Sequence, residues 1–409
     1  MKQKTLIGLA AVTVVALVAA LAISNARRPS SDTGAQAGTL AEGLRERLNE
    51  VSRFAMTGAN NQPLVTLERG EAGWTVAQKG GYPADLGKLR EYLLKFADAT
   101  LIERKTANRD RYDVLGVEDV TASDAKGVLI ELAGVDKPVR VIVGLFDGQG
   151  GGGTFVRRID EAESWLVKGT LTPDRNPSDW LHKDLPGIAS ERIASVTITR
   201  AGGKPLRVYR DEPGSAPLKV ADVPKGREPS SDYVASGLGS VLADLRLDDV
   251  VAAADAPVAE NPVTARYATF DGIVVDATAW QVGAENRVNF VASLDESAAV
   301  THIEREQARA VAEHSAVADA AAAAKPPADA DPATPATEGE GVQTPAAPLA
   351  VSDPAADRAQ RLAALNDEVA RLNAAFTGWT FSLPSYKYAN IDKSMDDMLK
   401  PVEEKSSAK

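Results

Sequence analysis

The sequence predicts an α+β fold: an N-terminal transmembrane helix followed by two related units of mainly antiparallel sheet with packed helices. Three observations predict it. One long apolar run, Leu6–Ile23 (LIGLAAVTVVALVAALAI), precedes a chain that is otherwise water-soluble in composition. Short strand-like runs bounded by Gly, Pro and Asp turns then recur along the chain. Among them, two stretches carry apolar residues three and four apart, the mark of one helical face. At 409 residues with 44% hydrophobic content, the chain is long enough for two real cores after the anchor.

The apolar run spans about 27 Å at roughly 1.5 Å per helical residue, just short of the bilayer's hydrocarbon core. Leu6, Leu9, Val14, Leu17, Leu21 and Ile23 carry it. Its length exceeds the roughly 7–15 residues of a cleaved signal's core, which predicts an uncut anchor even though Ser24-Asn25-Ala26 is compatible with cleavage. Lys2 and Lys4 before the run nearly balance Arg27 and Arg28 after it, so charge alone orients it weakly. The very short N-terminal tail favours a cytoplasmic N-terminus, a single pass through a bacterial inner membrane and a periplasmic bulk. Arg27-Arg28 follow the run instead of preceding it, which argues against twin-arginine export. The absence of cysteine excludes a lipobox, disulfides and thiolate chemistry. A net charge of −11 repels phosphate backbones, so nucleic acid is not an expected partner.

After a small-residue linker at 27–39, a short helix is expected around Leu40–Leu48, then strands at Val51–Met56, Leu64–Arg69 and Trp74–Gln78. Pro83-Ala84-Asp85 opens a helix whose face is Leu86, Leu89, Leu93 and Phe96. Strands follow at Val128–Leu132, Val139–Gly144, Thr154–Arg158 and Ser164–Val167, completing a first unit over 40–190.

The pattern then repeats over 191–400. Strands are expected at Val196–Arg200, Leu206–Arg210 and Leu218–Val220. Ser230-Ser231-Asp232 caps a second helix with the face Val234, Leu238, Val241, Leu242 and Leu245. Leu89 and Val234, Leu93 and Leu238, Phe96 and Val241, and Ile102 and Leu247 each lie 145 residues apart, a register suggestive of duplication. Further strands are Thr264–Phe270, Ile273–Trp280 and Arg287–Ser293. Ala308–Asp357, rich in Ala, Pro, Asp and Thr without periodicity, reads as a disordered insertion. Leu362, Leu365, Val369, Leu372 and Phe376 then mark a core helix, Trp379–Leu383 a last strand, and the chain from Lys387 a polar tail, 401–409 at its end.

No chemical motif survives inspection of its context. Gly148–Gly153 satisfies G-x-G-x-x-G, but strand-like Thr154–Arg157 follows where a phosphate site needs a helix N-terminus. A hairpin loop is expected, and no nucleotide or other cofactor. His182, His302 and His314 have no partner at metal-ligand spacing, so no metal site is expected. The acidic pairs Asp248-Asp249, Asp396-Asp397 and Glu403-Glu404 read as solvated charges, since adjacent strand residues point to opposite faces. Trp74, Trp165, Trp180, Trp280 and Trp379 read as sheet core, with a glycan-stacking surface the alternative.

GWTV at 73–76, GYPAD at 81–85, KTAN at 105–108, RYDVLGV at 111–117, TFVRR at 154–158, SWLV at 164–167, DWLHKDL at 179–185, VTITR at 196–200 and the closing run 378–399 occur in an order that resembles a bacterial domain-of-unknown-function family, number 4340. The resemblance extends from about Leu40 to Lys400. It implies a membrane-anchored accessory protein of ABC-type transport systems of the gliding-motility kind, beside a permease, an ATPase and a larger auxiliary partner. It brings no catalytic residues with it. The function expected is therefore a periplasmic scaffold or substrate-handling subunit that performs no catalysis. The alternative is an envelope glycan-binding module or hydrolase using the distributed tryptophans and carboxylates.

Overall fold

The structure, a computed structural model, describes residues 38–148, 152–214, 216–323 and 347–401. The predicted anchor with Leu6, Leu9, Val14, Leu17, Leu21 and Ile23 lies outside the described residues. So do nearly all of the linker, the centre of the glycine loop, the middle of the Ala/Pro-rich insertion and the end of the tail. Among the described residues no helix is long and apolar enough to cross a membrane. The chain divides into two compact units, one made of residues up to 64 with 87–173 and the other of 65–86 with 174–409.

The first unit holds β1 (Arg53–Thr57), and the chain continues through β2 (Pro63–Gly70), β3 (Gly73–Val76) and β4 (Tyr82–Pro83), of which β2–β3–β4 is an antiparallel ladder. Helix α1 (Leu86–Ala97) follows, then β5 (Leu101–Arg104), β6 (Val128–Ala133), β7 (Val139–Asp147), β8 (Gly153–Arg158) and β9 (Ser164–Lys168). Strand order runs β1-β6-β7-β8-β9-β5, antiparallel throughout. The predicted face of α1 is buried at Leu89, Leu93 and Phe96, joined by Tyr92, which packs edge-on against Phe54 of β1. Leu86, expected on that face, is 48% exposed because it starts the helix. On another cluster Tyr112, Val117 and Val120 from the excursion between β5 and β6 pack with Leu129 and Ile142.

The second unit runs β10 (Ile193–Thr199), β11 (Leu206–Tyr209), β12 (Lys219–Val220), helix α2 (Ser236–Gly239), β13 (Asp249–Ala252), β14 (Val263–Thr269), β15 (Ile273–Val282), β16 (Glu285–Leu294), helices α3 (Glu296–Ala323) and α4 (Pro354–Phe376), β17 (Trp379–Ser382) and α5 (Ser385–Ile391). Its strand order is β12-β11-β10-β14-β15-β16-β17-β13. The stretch β10-β14-β15-β16-β17-β13 reproduces β1-β6-β7-β8-β9-β5 of the first unit step for step. In both, the strand after the helical segment returns to the far edge and pairs with the last strand. Two independent meanders would not share that crossover by default, so the topology supports the duplication suggested by the 145-residue offset.

Three expectations are corrected. The second amphipathic helix is a four-residue helix within turns, although Leu238, Val241, Leu242 and Leu245 are all buried. Gly237 and Gly239 weaken the helix by about 1 kcal/mol each, and Asp244 breaks it with a φ of 45°. The insertion expected at 308–357 is helical at both ends: α3 runs to Ala323 and α4 begins at Pro354, its Asp353 side chain accepting from the Ala356 amide. Alanine is the strongest helix former, so an Ala-rich stretch lacking periodicity extends a helix already nucleated. The tail from Lys387 is folded as far as Leu399, with Tyr388, Ile391, Met398 and Leu399 buried.

Helix α4 enters the core at its C-terminal end: Leu372 and Phe376 of the predicted seam are buried, with Phe376 packed on Phe290 and Phe381, while Leu362, Leu365 and Val369 are half-buried. Asn373 substitutes for a missing strand. Its amide donates to the Ala292 carbonyl at 2.8 Å and accepts from the Ala292 N–H at 2.9 Å. Arg192 ties the start of β10 to the β14–β15 turn and to α4 through Asp271 and Glu368.

Candidate functional site

The most site-like feature is an open cleft in the second unit, formed where two chain segments run together. Residues 184–191 supply one wall and 243–246 the other, enclosing about 720 Å³. An adjoining recess of about 310 Å³ shares Ser190 and Glu191 with it and is lined further by Arg210, Gly214, Ala216, Pro217, Ser236, Gly237 and Ser240. The walls are stitched by main-chain bonds from Leu185 N to Leu245 O and from Ile188 N to Leu242 O, both 2.9 Å. A side chain at residue 187 would collide with the Leu242 carbonyl, so Gly187 permits this approach.

Arg210 occupies the recess. Its Nη1 donates to the carbonyls of Ser190 at 2.9 Å and Gly214 at 2.7 Å. Its buried Nε has no partner, and no described carboxylate pairs with the guanidinium within 4.0 Å. Desolvation pushes its pKa down, opposed by the charge of Glu191 nearby. Beneath the wall, the buried Lys387 donates to the carbonyls of Ser240 and Val241 at 3.0 Å each, and to that of Ala243. Burial lowers the Lys387 pKa, with Asp244 opposing. With its three donors so engaged, the ammonium is a clamp on the cleft wall and not a free nucleophile.

The sequence motifs meet elsewhere. In the first unit, KTAN, RYDVLGV, TFVRR and SWLV converge on the buried Arg157. Its Nε donates to the Val117 carbonyl at 2.9 Å and its Nη1 to the Glu161 carbonyl at 3.3 Å; Nη2 pairs with Asp119, and the guanidinium lies 4.7 Å from the Tyr112 ring centroid. Ser164 completes the arrangement, donating to the Thr106 carbonyl and accepting from the Thr106 amide. In the second unit GWTV, GYPAD and DWLHKDL run together: Ala84 N donates to Trp74 O, Asp85 N to Trp180 O and His182 N to Pro83 O. These are structural joints, each of the named donors met by a carbonyl, carboxylate or hydroxyl oxygen.

The candidate residues from the sequence scatter. Asp249 accepts from Ser178 and pairs with Lys79, whereas Asp396 pairs with Arg227 and Asp397 caps the turn at Ser394. Glu403-Glu404 lie outside the described residues. His182 is exposed, while His302 and His314 are half-buried on α3. Among the described residues no group of three His or acidic side chains could hold a metal ion. The glycine loop joins β7 to β8, a strand following as expected. Trp180 and Trp280 are buried; Trp379 packs edge-on against Tyr82, and Trp165 lies beneath Arg104. Arg210, Ser190, Ser236 and Ser240 were not legible as a group. The only local signal is a charged residue just after a strand and before a Gly/Pro turn, a pattern common to surface loops.

One comparison bears on these segments. Residues 74–263 match the family model of a domain of unknown function, DUF4340. No curated protein and no solved structure matches the chain. The DUF4340 match includes every residue lining the cleft and its recess, together with the Arg157 joint. The closing run at 378–399, which carries Lys387, lies beyond it.

Proposed function

We propose that this protein is a membrane-anchored accessory subunit of an ABC-type transport system, with no catalysis of its own. The single apolar run holds two α+β units at the periplasmic face of the inner membrane, and the cleft of the second unit receives a partner or cargo. The observation that carries this reading is the composition of the cleft. Among the described residues no histidine lines the cleft or its recess, and Ser240 Oγ donates to the Gly237 carbonyl at 3.1 Å, which leaves it unactivated as a nucleophile. A guanidinium, hydroxyls and main-chain groups suit recognition better than bond making. The transporter partner comes from the family resemblance, and the anchor run is what such a partner requires.

Cross-linking in native membranes, followed by identification of the captured proteins, tests the reading. Recovery of a permease or its ATPase supports it. Recovery of neither overturns it, as would an inactive alkaline-phosphatase fusion at the C-terminus for the periplasmic orientation.

A further inference from the structure

We infer that the recess beside Ser190 recognises a carboxylate group, the terminus of a peptide-like ligand whose preceding atoms lie in the larger cleft. This rests on reading the cleft as a binding site. Arg210 has both Nη1 hydrogens committed, to the Ser190 and Gly214 carbonyls, which fixes the plane of the guanidinium. The opposite edge, Nε with Nη2, makes no hydrogen bond to a described residue, and no carboxylate forms an ion pair with it. That edge is the fork that pairs a planar carboxylate with two parallel bonds. A partly desolvated cation held rigidly, with the charge of Glu191 nearby but no ion pair within 4.0 Å, is an electrostatic demand only partly met.

The surroundings narrow the ligand. Ser190 and Ser236 line the recess with hydroxyls able to donate to an anion, while the Ser240 hydroxyl beside them donates to the Gly237 carbonyl. The recess, about 310 Å³, opens on a cleft of about 720 Å³ that can hold the rest of the ligand. Glu191 lines both and opposes an anion; Asp184, Asp244 and Arg246 line the larger cleft, where Asp184 and Arg246 pair at 3.0 Å. One cation facing nearby carboxylates suits a single negative charge better than a doubly charged phosphate. The covering of Nε must shift slightly for the full fork, since that atom has no open surface; Nη2 alone suffices for first contact.

The test uses the full chain in detergent micelles, with N-acetyl-alanine, N-acetyl-alanine amide and inorganic phosphate as probes. The ¹⁵N resonance of the Arg210 Nε–H is followed during titration, and saturation-transfer signals give affinities for variants. N-acetyl-alanine should shift the resonance saturably at roughly millimolar concentration, and the amide should not. Arg210→Lys should weaken binding about tenfold or more, and Ser236→Ala by a few fold. Glu191→Gln should tighten it. Equal binding of the amide, tighter binding of phosphate, weaker binding by Glu191→Gln, or no shift at all would each overturn the inference. If cross-linking finds no transporter component while N-acetyl-alanine still binds, the transport reading falls and the site stands. The reverse pattern overturns the site alone.

Discussion

Arg157→Ala probes the joint where four sequence motifs meet, and its cost follows from what the guanidinium touches. Removing it leaves the Val117 carbonyl without its donor in a residue that is fully buried. An orphaned buried acceptor costs about 1–3 kcal/mol. Loss of the stack on Tyr112 adds about 0.5–2 kcal/mol. Asp119 is 52% exposed on its side chain, so water takes over most of its solvation and its share is small. The sum is about 1.5–5 kcal/mol, a rise of roughly 10- to 4,000-fold in the opening constant of this segment. Arg157→Lys should lose nearly as much, because one ammonium cannot reach the two carbonyls and the carboxylate in the same geometry. Hydrogen exchange read on peptides covering 105–127 and 154–165 measures it in the intact chain. Protection within a factor of about three of the parent, below 1 kcal/mol, would refute the reasoning.

Other outcomes follow from the same structure. Burial pushes the Tyr82 phenol up to about 12. The neutral phenol is thus favoured in the fold, so its contribution is complete below about pH 10, the unfolded value, and is lost as pH climbs toward 12. Tyr82→Phe should leave melting at pH 7 within about a degree or two and flatten the fall of melting temperature between about pH 10 and 12; an unchanged alkaline fall would refute the assignment. Asn373→Ala should cost about 1–3 kcal/mol by baring the Ala292 amide and carbonyl, seen as faster exchange at the C-terminal end of β16. Lys387→Met keeps the apolar stem but strips three carbonyls of their donor. It should speed exchange across 238–246 by at least about tenfold, and N-acetyl-alanine binding should weaken as the wall loosens.

By itself, the sequence determined most of the strands, though it missed those at Leu101–Arg104 and Asp249–Ala252 and gave no strand order. Val128–Leu132, Val139–Gly144, Thr154–Arg158 and Ile273–Trp280 each fall inside an observed strand, because alternation and turn residues are local signals. The 145-residue offset pointed to a duplication that the matching strand orders support. The buried residues of both helical faces were also legible, since burial follows hydrophobic spacing whatever the backbone does. Only the tertiary structure decided that the second face is carried by turns and not by a helix. The glycines at 237 and 239 disfavour a helix by about 1 kcal/mol each, and packing of Leu238, Val241 and Leu242 holds the turns that replace it. It alone decided how far the Ala-rich ends of the insertion are helical, for alanine is compatible with coil and becomes helix where α3 and α4 have already nucleated. The cleft is the clearest case. Ser190, Arg210 and Ser236 come from three separate segments, and no local rule links an arginine just after a strand to a serine far along the chain. Their grouping depends on main-chain bonds from Leu185 to Leu245 and from Ile188 to Leu242, made possible where Gly187 leaves room.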